Sequence, residues 1–329
     1  MSDRPADSQI VLSIVVPIYN ESEGLLTFHN ELLLPALQEA VEGSYEIIYV
    51  NDGSRDNSLE LLTNLARQDS RVRVINLSRN FGKEIATTAG ISQSQGEATI
   101  IMDGDGQHPP AIIGEFLAKW RAGAQVVIGV RDSNQKEGLV KKWGSSAFYA
   151  LFNSISGAEM VPRSTDYRLI DRLVRLEFMK FTERQRITRG LIDWLGFRRD
   201  YVTFDSPARL AGKATYKTSH LVKLAMNSFV SLSLAPLFIF GWIGVFITVL
   251  SFVAGIFIFV EQFLLSDPLG LNFTGSALLG IFTSFLIGLV LISQGIIAIY
   301  LSHVHGQSQA RPLFVIDAAH SSGLHSLEK

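Results

Sequence analysis

The chain has 329 residues, 47% of them hydrophobic and 18% charged, with a net charge of −2. It is greasier than an ordinary soluble domain and has no global basic field for nucleic acid, and the lack of cysteine excludes disulfides and thiolate metal sites. The first ten residues, MSDRPADSQI, lack the apolar core of a signal peptide, so the N-terminal part is expected on the cytosolic side.

Val11–Pro17 is a near-continuous apolar run, the pattern of a strand buried on both faces. A polar turn follows, and Leu25 to Val41 reads as a helix. Tyr45–Val50 is a second strand, ending in Asn51-Asp52-Gly53-Ser54. Asp56-Asn57-Ser58 can cap a helix over Leu59–Gln68. Val72–Leu77 is a third strand, ending in Ser78-Arg79-Asn80-Phe81-Gly82-Lys83, and a helix from about Glu84 to Gln93 comes next. The fourth strand, Thr99–Met102, runs into Asp103-Gly104-Asp105-Gly106-Gln107. Helix Ala111–Ala122 then precedes a fifth strand, Gln125–Val130, which ends at Arg131.

Strands alternating with helices of this length predict a doubly wound, mostly parallel α/β sheet. Ligands bind outside the carboxyl ends of the strands in such sheets. Every predicted strand end here carries polar residues: Tyr19, Asn20 and Glu21, then Asp52, Lys83, Asp103 with Asp105 and Gln107, and Arg131. Neither GxGxxG nor the P-loop pattern GxxxxGK[ST] is present.

From Lys136 to Tyr201 the pattern is helical and basic-amphipathic, with apolar faces at Phe148–Ile155 and Leu169–Phe178. Arg184, Arg186, Arg189, Arg198 and Arg199 cluster there, as a solvated face or as a contact for anionic phosphate or headgroups. The segment Thr203–Lys223 is basic. Phe229–Val260 and Asn272–Ser302 then carry no charged residue, and both exceed the roughly 20 residues that span hydrocarbon. They are expected to be two transmembrane helices in a hairpin. The connecting loop holds no Lys or Arg and the preceding flank is basic, so both termini are expected in the cytosol. Small residues such as Ala254 and Gly255 leave homo-oligomerisation open.

The stretch IIMDGDGQHPP, Ile100–Pro110, is where chemistry is expected. Asp103 and Asp105 are acceptor-only when ionised, and two such groups one residue apart suit a hard divalent cation with water and phosphate oxygens. A solvated loop with two incidental acids is the plainer alternative. A cation on Asp105, supported by Asp103 and Gln107, would neutralise a diphosphate and make it a better leaving group.

The motifs VVPIYNE, VNDGSRDNS, LSRNFGKEIATTAGI and MDGDGQHPP, in this order, resemble the GT-A glycosyltransferases of family 2. The nearer resemblance is to the polyisoprenyl-phosphate glycosyltransferases, the group of dolichol-phosphate mannose synthase and the bactoprenol glucosyl transferases. STDYRLIDR and RGLIDWLGFRRDYVTFDSPARLAGKATYK support it, and it covers roughly residues 11–316. The resemblance implies that Pro17, Tyr19, Glu21 and Asp52 contact the nucleoside, and that Lys83 belongs to the nucleotide-sugar site. It implies that Asp103, Asp105 and Gln107 hold Mg2+ or Mn2+ against the diphosphate. Asp166 matches the acid near the acceptor, as a base or as an orienting group, although it could also cap a helix starting at Tyr167. Arg131, Lys141 and Ser145 match the group that receives the lipid phosphate. Arg209 and the loop to Tyr216 match the segment that closes over the donor phosphates.

The implied activity is inverting transfer of a hexose, glucose by resemblance, from a UDP-sugar to undecaprenyl or a related polyprenyl phosphate. It would take place at the cytosolic face of a bacterial inner membrane. A processive polysaccharide synthase is disfavoured by the absence of QxxRW, and a non-catalytic nucleotide-sugar binder by the intact DGDGQ. The expected organisation is a catalytic domain with amphipathic interface helices over 1–202, a basic juxtamembrane segment with the donor loop over 203–228, two spans over 229–302 and a cytosolic tail over 303–329.

Overall fold

The computed structural model describes residues 10–132, 164–184, 186–207, 210, 253, 256, 260, 275–309 and 311–324. The chain forms two compact units, Met1–Thr215 together with Arg311–Lys329, and Tyr216–Ala310.

The first unit is built on a seven-stranded sheet. Its strands are β1 (Ile10–Ile18), β2 (Ser44–Asn51), β3 (Val72–Asn76), β4 (Ala98–Ile101), β5 (Val126–Arg131), β6 (Ser164–Asp171) and β7 (Arg199–Phe204). They lie in the order β3-β2-β1-β4-β6-β5-β7. Its helices are α1 (Leu25–Thr27), continuing through a π-helical stretch (Phe28–Leu33) into α2 (Leu34–Ala40), then α3 (Ser58–Gln68), α4 (Lys83–Gln93), α5 (Ile113–Arg121), α6 (Arg172–Met179) and α7 (Thr188–Trp194).

The strands bury both faces, which explains their near-continuous apolar runs. Leu12, Ile14, Val16 and Ile18 of β1 join one core with Phe28, Leu37, Leu62 and Phe116. Val15, pointing the other way, packs with Ile48, Val50, Ile75, Ala86 and Ala89. The α4 helix lies close to β1 because its packed face is small. A Cβ added to Gly90 would come within 2.3 Å of Val15 Cγ1.

The pairs β1–β2, β2–β3, β1–β4 and β5–β7 are parallel, whereas β6 runs antiparallel between β4 and β5. The sheet is therefore mixed but mostly parallel. STDYRLID, placed in a helical region by its sequence pattern, forms β6, and the helix begins only at Arg172. Asp171 caps that helix, accepting from the Leu173 N–H at 2.8 Å. The capping role open to Asp166 thus belongs to Asp171. Tyr201 likewise lies in a strand, β7.

A buried polar network closes the amino-terminal rim of the sheet. Glu46 accepts from Ser13 Oγ at 2.6 Å, from the Gln95 N–H at 2.7 Å and from Arg73, whose Nε also donates to the Gly323 carbonyl at 2.8 Å. The C-terminal tail runs along β3 with antiparallel bridges Val74↔Ser322 and Leu77↔Ile316, and so covers an edge that would otherwise be open to pairing. Phe314 and Ile316 of the tail pack, like Phe81, against the core formed by Val15, Ile48, Ile75 and Ala86.

In the second unit, α8 (Gly275–Ser308) is 34 residues long, and its sequence holds no Asp, Glu, Lys or Arg. Among the described residues alone, no helix is long and apolar enough to cross a membrane. Nearly all of the other uncharged run, Phe229–Val260, lies outside the described residues, as do Ala254 and Gly255.

Removing one partner of a buried ion pair leaves the other uncompensated, at about 3–5 kcal/mol. Glu46→Ala is therefore expected to destabilise the chain by about that amount in chemical denaturation of the detergent-solubilised protein. A loss below about 1 kcal/mol would show that Arg73 keeps its solvation without Glu46.

Candidate functional site

Three chain segments meet at the carboxyl rim of the sheet. Asp103 follows β4, Lys83 opens α4, and Asp166 sits near the start of β6. The antiparallel run of β6 puts its amino end beside the carboxyl end of β4, so Asp166 reaches the same rim. Lys83 Nζ lies 2.7 Å from Asp103 Oδ1 and 2.9 Å from Oδ2, and it donates to Asp166 Oδ2 at 3.0 Å. One ammonium thus bridges two carboxylates from different strands.

Burial alone would pull the Lys83 ammonium down, but Asp103 and Asp166 outweigh it and hold Lys83 above its ordinary pKa. Burial alone would likewise raise the Asp166 carboxyl. Lys83, Arg189 and Arg168 overcome that and hold it well below the usual carboxylate range. Glu84, beside them, goes the other way. Its carboxyl is raised by burial and by the charge on Asp166, while the Thr188 N–H donating to its Oε2 at 2.8 Å opposes the rise.

The loop carrying Lys83 is fixed from below by Asp52. That buried carboxylate accepts from the Phe81 N–H at 2.7 Å and the Gly82 N–H at 2.9 Å. Gly82 has φ +96°, a left-handed conformation that glycine adopts without strain, and it turns the chain into α4. Gly53 approaches the same loop so closely that a Cβ there would lie 2.6 Å from the Arg79 and Asn80 backbone.

The loop after β4 is held equally firmly. The Asp103 N–H donates to His108 Nδ1 at 2.9 Å, which assigns the histidine as the neutral Nε2–H tautomer. Burial agrees, holding His108 below its ordinary pKa. Its ring stacks on Tyr167, with centroids 5.0 Å apart. Asp105 Oδ1 accepts from the Gln107 N–H at 3.0 Å. Ser206 Oγ donates to the Gln107 carbonyl at 3.1 Å, and the Leu210 N–H donates to the Asp105 carbonyl at 3.1 Å. Residues on both sides of Arg209 therefore rest on the DGDGQ loop.

The other expected residues are placed as follows. Pro17 lies in β1, with exposed Tyr19 and half-buried Glu21 just beyond its end. The loop holding them interlocks with the one after β2. The Asn20 N–H donates to Ser54 Oγ at 3.0 Å, and the Glu21 N–H to Ser58 Oγ at 3.1 Å. Gly104 lies against Ile18, which joins this rim to the DGDGQ loop. Arg131 ends β5, and its Nε is buried with no hydrogen-bond partner among the described residues. Lys141, Ser145 and Arg209 lie outside the described residues.

Two features escaped the sequence reading. The first is His108, whose only signal was its place within QHPP. The second is the fate of the arginines. Arg168 is 1% exposed and bonds Asp193 at 3.1 Å, and Arg186 is 5% exposed and donates to the Glu183 carbonyl at 2.8 Å. Arg186 is thus part of the fold rather than of an anion-facing surface.

Residues 13–183 match the family model described as Glycosyl transferase family 2. The chain belongs to this family. An uncharacterized glycosyltransferase of Synechocystis sp. is 37% identical over 93% of this chain and 95% of its own length. An uncharacterized glycosyltransferase of Bacillus subtilis is 33% identical, covering 94% of each chain. The bactoprenol glucosyl transferase of Shigella phage SfV is 31% identical over 93% of this chain and 97% of its own length. This family 2 glycosyltransferase is an enzyme, and the rim around Lys83 is its candidate active site.

A carboxyl whose folded pKa is raised costs stability above that pKa, and the cost disappears as pH falls below the unfolded value of about 4.5. Glu84→Gln keeps an oxygen for the Thr188 N–H. It is expected to raise the thermal midpoint of the glycosyltransferase at pH 7, with the difference from the unmodified protein shrinking at pH 4. A midpoint lowered at pH 7 but not at pH 4 would show that the negative charge of Glu84 is needed.

Proposed function

We propose that this glycosyltransferase moves a hexose, glucose by best inference, from a UDP-sugar to a polyprenyl phosphate such as undecaprenyl phosphate. The observation that carries the reading is the Asp103–Lys83–Asp166 bridge, which sets a donor-side carboxylate beside an acceptor-side one on the rim where such sheets bind ligands. The names of the Shigella bactoprenol glucosyl transferases, matched over nearly their whole length, support the lipid acceptor.

A phosphate oxygen of the acceptor attacks the anomeric carbon, the bond from that carbon to UDP breaks, and polyprenyl-phosphate sugar and UDP leave. Pro17, Tyr19, Glu21 and Asp52 shape the nucleoside end, with Arg209 closing over the donor phosphates. Arg131, Lys141 and Ser145 receive the acceptor phosphate, and the Arg131 Nε has no hydrogen-bond partner among the described residues.

Asp103, Asp105 and Gln107 offer hard oxygen donors on one loop, and Lys83 shows that Asp103 already stabilises a cation there. The described residues form no cluster of three or more His, Cys, Asp or Glu able to hold a metal. Mg2+ is typically bound by one or two carboxylates with substrate phosphates completing the sphere. When bound, such an ion supplies charge stabilisation for the departing diphosphate.

The uncharged sequence of α8, and the matching run before it, are read as two membrane spans. On that reading the enzyme works at the cytosolic headgroup plane of a bacterial inner membrane, where a lipid phosphate lies. At about 1.5 Å per residue, even 20 residues of α8 would cover a hydrocarbon core of about 30 Å.

Membranes holding the enzyme, polyprenyl phosphate, Mg2+ or Mn2+ and radiolabelled UDP-glucose should yield label in an acid-labile lipid extract. Label in polymer, or in no lipid at all, would overturn the reading. With that assay, Arg131→Ala is expected to reduce turnover at least as much as Asp166→Asn, because bringing two anions together needs a cation on each. A near-normal Arg131→Ala beside an inactive Asp166→Asn would reverse the ranking.

A further inference from the structure

We infer that Lys83 is a positioning residue, a built-in cation that ties the donor-side carboxylate Asp103 to the acceptor-side carboxylate Asp166 and so fixes the spacing between the two halves of the reaction. The inference rests on the function proposed above and assigns Lys83 more than a contact with donor phosphate.

Three observations carry it. Lys83 is the only described lysine or arginine within ion-pair distance of either Asp103 or Asp166. It pairs with both at once, although Asp103 follows β4 and Asp166 lies in β6. Its backbone is also anchored on each side. Asp52 holds the Phe81 and Gly82 amides just before it, and Glu84 just after it holds the Thr188 amide at the start of α7. A side chain meant only to meet a mobile substrate has no use for such bracing.

The charges around the ammonium make the bridge necessary. Asp103 and Asp166 approach it directly, with Glu84 adjacent in the chain. Arg189 and Arg168 also act on Asp166, but Arg168 is already engaged with Asp193. His108 is neutral and spends its Nδ1 on the Asp103 amide. Without Lys83, Asp103 would keep no cationic side chain among its described partners, and Asp166 would lose its nearest. The two carboxylates would then be free to separate.

The same geometry implies competition. An ammonium on both oxygens of Asp103 opposes a divalent ion at that carboxylate until the donor diphosphate brings its own negative charge. Lys83 thereby disfavours metal binding to the empty enzyme.

The test uses the full-length protein in detergent, with Lys83→Met and Lys83→Arg as variants. Lys83→Met is expected to lower kcat about 100-fold while the donor KM changes by less than about threefold, the split expected when a contact matters mainly in the transition state. Lys83→Arg, which keeps the charge, should recover to within about tenfold of the unmodified enzyme. Mn2+ added alone, with binding read by its electron spin resonance signal, should bind Lys83→Met about fivefold more tightly than the unmodified protein.

A Lys83→Met enzyme with normal kcat, or a loss confined to donor KM, would overturn the inference. So would an unchanged Mn2+ affinity, or a Lys83→Arg variant as impaired as Lys83→Met. Tighter Mn2+ binding in Lys83→Met, in a protein whose unmodified form transfers no sugar to lipid, would overturn the proposed reaction and leave the cation role of Lys83 standing.

Discussion

Two carboxylates cannot share a half-buried rim without a cation between them. Like charges at close range push one proton affinity up until the group neutralises, unless an opposite charge intervenes. Asp103 and Asp166 meet that constraint through Lys83, and the surrounding architecture serves the ammonium. β4 delivers Asp103, β6 is inserted backwards so that Asp166 arrives from its amino end, and Gly82 bends the chain so that α4 begins with the lysine. Glu84 shows what the rim does to a carboxylate without such direct support, since its proton affinity rises where that of Asp166 falls.

The opposite rim solves a similar problem differently. Glu46 and Arg73 are both buried, and they are joined by Ser13, the Gln95 amide and two backbone carbonyls, so that most of the pair's polar atoms are satisfied. One of those carbonyls belongs to Gly323, near the end of the chain. Breaking such a pair costs far more than forming it gains, so its value lies in fixing where the tail docks. The tail in turn packs against the same core cluster as Phe81, whose amide Asp52 holds. The two rims are linked through β3 and the loop that follows it.

The first five strands were legible because burial on both faces writes a continuous apolar run, and their ends were legible because polar residues stop each run. β6 was not. Tyr167, Leu169 and Ile170, followed by Val174 and Phe178, mimic a helical stripe, and the strand hides a charged residue in its middle. Arg168 is buried only because Asp193, 25 residues later, is buried against it, and no local pattern announces such a pairing. The site shows the same division. Asp103, Asp105 and Lys83 stood out at strand ends. That Lys83 would turn to Asp103 and Asp166 rather than to its neighbour Glu84 depended on a strand whose direction the sequence pattern did not reveal.

The low proton affinity of Asp166 bears on which acceptor suits the proposed reaction. A carboxylate held well below its usual range is a weak base, poorly matched to removing a proton from a sugar hydroxyl near neutral pH. A phosphate monoester, with a second pKa of about 6, is largely ionised there and needs no strong base. Its difficulty is repulsion from the donor diphosphate, which cations relieve and a base does not. A rim that spends its lysine keeping Asp166 ionised, and leaves the Arg131 Nε without a partner among the described residues, is better suited to seating a charged acceptor than to deprotonating a neutral one.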